Sequence, residues 1–219
     1  TGASVVHRFH NGGYRVAMLA RNGERLAGLA DDLPSATAFV ADLENLPELH
    51  RTMQAIKQEL GPAQVVIHNA VRATFGHYDE FDTLELERNF TVSVSALHKM
   101  ARFYIPDMLQ RGHGTLLVTG NTAAHRGTPR YSMFAPAKAA QRILTEALAR
   151  RHGPDGLHVA YVTIDAPIKT PWTSQYTQDV PLDGFAMPDD IAEEIWHLAH
   201  QRRSTWSSDL WIRPFREAF

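Results

Sequence analysis

Near the middle of this 219-residue chain, an ammonium, a phenol and a benzene ring share one face of a helix. In the run LLVTGNTAAHRGTPRYSMFAPAK, residues 116–138, Tyr131, Phe134 and Lys138 stand at i, i+3 and i+7. That spacing projects all three side chains the same way from a helix opening near Tyr131. Asn121, in the preceding loop, adds an amide N–H, and Thr122 offers a hydroxyl one residue later. Donors of this kind can polarise a carbonyl oxygen, and the phenol of Tyr131 can hand it a proton. Phe134 has no proton to give. Pro136 removes an amide from the first turns and argues for a start nearer Met133, which would leave Tyr131 in the loop.

These residues need a scaffold, and the chain alternates regularly enough to supply one. Strands are expected over Tyr14–Ala20, Ala36–Val40, Gln64–His68, Leu116–Thr119, Leu157–Ile164 and Asp209–Arg213. Helices are expected over Asn22–Ala30, Leu46–Leu60, Thr83–Gln110, Tyr131–Arg151 and Asp189–Gln201. Gly61-Pro62 stops the second helix, and Asp82 with Glu85 caps the third, which Pro106 should bend or break. The strand at residues 64–68 is almost continuously apolar, as when both faces of a parallel sheet are covered. Strands separated by single helices imply right-handed crossovers and a doubly wound parallel sheet, so the fold class is α/β, a single Rossmann-type domain. The irregular stretch from Asp165 to Ala186 reads as a loop covering a substrate pocket, with Trp172 as a wall.

The order and spacing of these features, together with Lys138 and its neighbours, resemble the short-chain dehydrogenase/reductase family over nearly the whole chain. In that family a Ser at a strand end and a Tyr-x-x-x-Lys pair on the next helix reduce or oxidise a carbonyl beside a nicotinamide. Here Lys138 matches, Phe134 stands at the Tyr position and Asn121 at about the Ser position. The run from Trp206 to Pro214, Trp-x-x-x-Leu-x-x-Arg-Pro, resembles the branch with Phe-x-x-x-Lys. The resemblance implies that Lys138 holds the nicotinamide ribose. Aligned on Gly114, it also puts Ser93 where the family keeps an Asn that holds a relay water, with Asn89 as the rival one turn earlier. Proton delivery would then come from Tyr131 or from water.

The same resemblance assigns a cofactor cleft. Arg21 stands at a strand end where a guanidinium favours a 2′-phosphate, implying NADP rather than NAD. Taken alone, it is equally a solvated strand-end charge. Asp42 matches the carboxylate that accepts from the adenine amino group, with Leu43 beside the ring, although in isolation it could cap the next helix. Asn69 and Ala70 match an Asn-Asn-Ala-Gly run whose backbone lies along the adenosine ribose, while His68 and Val71 depart from it, and Val71 should crowd that backbone. Ile168 would hold the nicotinamide amide through its backbone, and Thr170 the pyrophosphate. Thr1-Gly2-Ala3-Ser4 resembles the dinucleotide-binding turn, with Gly2 and Ser4 at the phosphates. The resemblance then implies a strand ahead of Thr1 and further glycines between Ser4 and Gly13, so the sequence is expected to omit residues at both places. With that strand the sheet would have seven.

Composition narrows the partners. A formal net charge of -2 gives no electrostatic reason to expect nucleic acid or an anionic membrane. No apolar run is long enough to span a bilayer, and zero Cys excludes thiolate metal sites and is compatible with the cytoplasm. The His residues show no metal-ligand spacing, His197 and His200 reading as a surface or partly buried pair and Arg202 and Arg203 as last-turn cations. A small-molecule substrate and a homodimer or homotetramer, assembled through the helices at 83–110 and 131–151, complete the expectation. The alternative is a protein that binds NADP(H) without turnover.

Overall fold

The structure, a computed structural model, describes every residue except Tyr176, Gln178, Ala218 and Phe219. Its elements run α1 (Gly2–Asn11), β1 (Val16–Ala20), α2 (Gly23–Asp32), β2 (Ala36–Val40), α3 (Leu46–Leu60), β3 (Val65–His68) and α4 (Thr83–Phe90). They continue as α5 (Ala96–Arg111), β4 (Gly114–Asn121), α6 (Ala135–His152), β5 (Leu157–Ile164), α7 (Pro171–Ser174), α8 (Pro188–Ala199) and β6 (Asp209–Ile212).

Every strand pairing is parallel. Side chains leave β4 and β5 alternately. Leu116, Val118, Val159 and Tyr161 pack among α3 and α5, whereas Leu117, Ala160 and Val162 pack against α1 and α8. Helices on both faces make this the doubly wound α/β architecture, and they explain why all eight residues of β5 are buried and its sequence is apolar almost without a break. The sheet is nevertheless divided. β1 pairs with β2, and β3 with β4 in the order β3-β4-β5-β6, while β1 and β3 both line a cavity of about 1500 Å³. This gap lies where the resemblance puts a strand ahead of Thr1.

Local signals account for most boundaries. The side chains of Asn45 and Asp82 accept from the amides of Glu48 and Glu85 at 3.1 and 3.0 Å, capping α3 and α4. Gly61 ends α3 at φ 81°, a conformation that favours glycine. Other expectations need correction. The helix expected over residues 83–110 is interrupted by a π-helical turn, Thr91–Ser95, and α5 runs through Pro106 to Arg111 without stopping there. The helix expected from Tyr131 begins at Ala135, with Pro136 in its first turn, where a missing N–H costs least. Gly2 and Ser4 lie in the first turn of α1 rather than in a turn ahead of it. Because α8 ends at Ala199, Arg202 and Arg203 lie beyond it, and Arg203 donates to the Gly112 carbonyl at 2.7 Å.

Candidate active site and cofactor cleft

The carboxyl ends of β1 to β5 open into the same large cavity. It is lined there by Gly2, Arg21, Asp42, Leu43, Asn69 and Ala70, and further along by Asn121, Lys138, Ile168 and Thr170. Ligands bind at this end of an open α/β sheet because loops and helix N-termini converge there. Ser4, Ser93, Tyr131 and Phe134 are not part of the lining.

At one end, the first turn of α1 lines the cavity through Gly2 and Ala3, with no side chain capping it. A Cβ on Gly2 would stand 3.2 Å from the Asn69 side-chain nitrogen, so helix and strand meet closely. Asn69 accepts from the Thr119 hydroxyl at 2.9 Å, tying β3 to β4. Arg21 ends β1, and Arg25, which sequence reasoning missed, lines the cavity one turn into α2. Its signal was the i, i+4 spacing from Arg21 across the cap made by Asn22. Neither guanidinium forms an ion pair among the described residues, so both remain available to an anion. Asp42 accepts from the Glu44 amide at 2.9 Å and so shapes its own turn. Val71 is 54% exposed, with no positive φ at any non-glycine residue described, so it sits there without backbone strain. Arg72 beside it forms a fork with Glu85 at 2.8 and 2.9 Å. That pair, helped by the Thr74 hydroxyl, holds the Glu85 carboxyl down at about 2.

At the other end lies Lys138, only 2% exposed. Its amine donates to the Thr119 carbonyl at 3.2 Å and to the Gln141 side-chain oxygen. Burial pushes this amine down to about 7, because a charge taken out of water loses its hydration. Gln141 in turn touches Nδ1 of His68 at 3.2 Å, and Nε2 of His68 reaches the Val92 carbonyl in the π turn at 3.1 Å. Burial, and then the Lys138 charge, push His68 down to about 4, so the imidazole is neutral. The sequence hinted at Gln141 through its i+3 spacing from Lys138; nothing local pointed to His68 as its partner.

Two loops clasp over Phe134. Gly76 donates to the Arg130 carbonyl at 2.8 Å, and Ser132 donates to the Gly76 carbonyl at 3.1 Å. Phe75 meets Phe134 edge-on at 5.6 Å and Tyr131 at 5.2 Å between ring centroids, leaving Phe134 1% exposed. Tyr131 is thus a loop residue packed in an aromatic cluster, which removes the helical geometry behind its candidacy as proton donor. Asn121 accepts from the Ala123 amide at 3.1 Å, so its carbonyl caps the turn after β4 and its N–H2 stays free. Ser93 is fully buried in the π turn and its hydroxyl has no hydrogen-bond partner among the described residues. Thr170 caps α7 through the Thr173 amide at 3.1 Å. Trp172 is 60% exposed at the rim. Trp206 stacks on His158 at 4.8 Å and Trp196 packs on Phe9 at 5.1 Å, both far from chemistry. No three His, Asp or Glu side chains converge as metal ligands among the described residues, and no helix described is long and apolar enough to cross a membrane.

A family model described as enoyl-(acyl carrier protein) reductase matches residues 1–208. An uncharacterized oxidoreductase of Schizosaccharomyces pombe is 27% identical over 205 residues, spanning 85% of this chain and 78% of its own. A short-chain dehydrogenase from Rhodopseudomonas palustris superposes with a TM-score of 0.82 at 26% identity, over 97% of this chain and 92% of that one. The L-sorbose reductase of Gluconobacter frateurii, complexed with NADPH and L-sorbose, superposes with a TM-score of 0.88 at 19% identity, over 96% and 90%. Strand order, site position and these likenesses agree, and the chain belongs to the short-chain dehydrogenase/reductase family of oxidoreductases.

Proposed function

We propose that the chain is an NADP(H)-dependent oxidoreductase that moves hydride to or from a small carbonyl, alcohol or conjugated substrate. One observation carries this: Arg21, Asp42, Asn69 and Lys138, from four separate elements, line a single cavity at the carboxyl ends of the strands. Its donor set fits the cofactor. The unpaired guanidiniums of Arg21 and Arg25 suit a 2′-phosphate, the amides opening α1 suit a pyrophosphate, and Asp42 and Leu43 suit the adenine. The remaining N–H of Lys138 suits the nicotinamide ribose, with the Ile168 backbone and Thr170 beyond it. When bound, the cofactor supplies or accepts the hydride.

The protein's own part is to orient, polarise and protonate. The free N–H2 of Asn121 is placed to donate to a substrate oxygen. We take Phe134 to occupy the position of the family's catalytic tyrosine, so a phenol cannot supply the proton; water in the cleft beside Lys138 supplies it instead. A conjugated substrate suits such a site, because hydride addition there leaves charge on an oxygen held by Asn121 and the final proton can come from water. Cytoplasmic residence and assembly as a homodimer or homotetramer through α5 and α6, where Ile143 is 53% exposed, belong to the same proposal.

The test is paired. NADPH and NADH are titrated into the protein, and NADPH oxidation is then followed over carbonyl and enone panels with and without Lys138→Ala. NADPH should bind more tightly than NADH, and turnover should vanish in the variant. Failure of both nucleotides to bind would discard the proposal, and tight binding without turnover on any panel would leave a protein that only senses or carries the cofactor.

A further inference from the structure

Lys138 is held by a chain of hydrogen bonds whose direction is fixed from one end. The Val92 carbonyl can only accept, so the His68 nitrogen facing it, Nε2, carries the proton. The ring is neutral, so Nδ1 is bare and can only accept. Gln141 must therefore turn its N–H2 toward Nδ1 and its oxygen toward Lys138. The opposite amide orientation would set oxygen against a bare nitrogen and N–H2 against the ammonium, two repulsions between buried groups. In its charged form the amine has three donors. Thr119 and Gln141 engage two, which leaves one for a ligand in the cleft.

We propose that Gln141 and His68 are positioning residues that orient the Lys138 amine through this one-way chain, so that its single free N–H points at the bound cofactor. The proposal rests on the cofactor site argued above. Its hydrogen-bond chain, however, can be read in the empty protein. The titratable group facing Lys138 across this network is His68 on β3; no carboxylate bonds the amine among the described residues, and Ser93 of the π turn cannot titrate in this range.

The experiment uses the full chain and two variants. Nitrogen NMR of the imidazole reads the His68 tautomer, carbon NMR at Cε of Lys138 reads the amine's titration midpoint, and calorimetry reads NADPH affinity. In the wild type, His68 should be the neutral Nε2–H tautomer. Gln141→Met removes the acceptor, so the Lys138 midpoint should fall and NADPH should bind about tenfold more weakly, as for loss of one charge-assisted hydrogen bond. Gln141→Glu keeps an acceptor for Lys138 but has no donor for His68, so the Lys138 midpoint should rise and Nδ1 of His68 should gain a proton. A residue that merely filled space would not move the two midpoints in opposite directions. An Nδ1–H or charged His68 in the wild type, or Lys138 midpoints unchanged in both variants, would overturn the chain. Shifted midpoints with unchanged NADPH affinity would overturn its role in orienting the amine. If the wild type does not bind NADPH at all, the cofactor assignment fails, and the positioning role falls with it whatever the NMR arms show of the chain.

Discussion

Replacing Lys138 by Met should flatten the pH dependence of stability in a window where few other groups act. An ordinary lysine titrates near 10.5, and burial holds this one at about 7. Between those values the unfolded chain keeps a proton that the folded protein has released, so stability rises with pH across the window. Full passage through it corresponds to about 5 kcal/mol, and the stretch from pH 7 to about 9.5 to roughly 3 kcal/mol. Stopping there matters, because burial raises Tyr104 to about 12 and also raises Tyr14 and Tyr161. Above pH 10 those phenols act with the opposite sign, the unfolded chain losing protons that the fold retains. The assay is urea unfolding followed by circular dichroism at constant ionic strength, with wild type and Lys138→Met compared at each pH. The difference between them should change by roughly 3 kcal/mol over the window, in favour of the wild type as pH rises. Parallel curves would show that the amine keeps an ordinary pKa and would refute the penalty that burial places on its charge.

Other outcomes follow from the same geometry. Arg21→Asp should weaken NADPH by about 10- to 100-fold and improve NADH, measured by calorimetry, since it exchanges a charge-assisted phosphate contact for repulsion. Glu85→Gln should cost about 2–3 kcal/mol in urea unfolding at pH 7, because it removes the carboxylate that Arg72 grips with little access to water. The wild type should lose a similar amount as pH falls from about 4.5 toward about 2, where the depressed Glu85 carboxyl finally takes its proton. Phe134→Tyr should cost about 1–2 kcal/mol of stability in urea unfolding, because the new hydroxyl lies buried beneath Phe75.

The fold was legible because its central strands are covered on both faces. Residues 116–119 and 157–164 had to be largely apolar, and the signals at Asp82 and Gly61 marked where helices begin and end. The end of the cleft at Arg21, Asp42 and Asn69 was legible for a related reason, since each stands one or two residues beyond a strand and the topology alone delivers them to one cavity. The end at Lys138 was not. Pro136 hinted at the late start of α6, but the clasp between Gly76 and Arg130, more than fifty residues apart in sequence, that lies beside Tyr131 had no local signal. Phe75 covers Phe134 from a loop with no periodicity to betray it. The Val92 carbonyl in the π turn meets His68 from twenty-four residues away, and a long-range hydrogen bond of that kind leaves no mark in local patterning.

Whether this cleft performs redox chemistry is tested most directly by deuterium transfer from [4-²H]NADPH, followed by mass spectrometry of the product from a conjugated ketone. One deuterium on the β-carbon, absent with Lys138→Ala, is the expected outcome. Firmly bound NADPH that surrenders no label to any enone or carbonyl would contradict it.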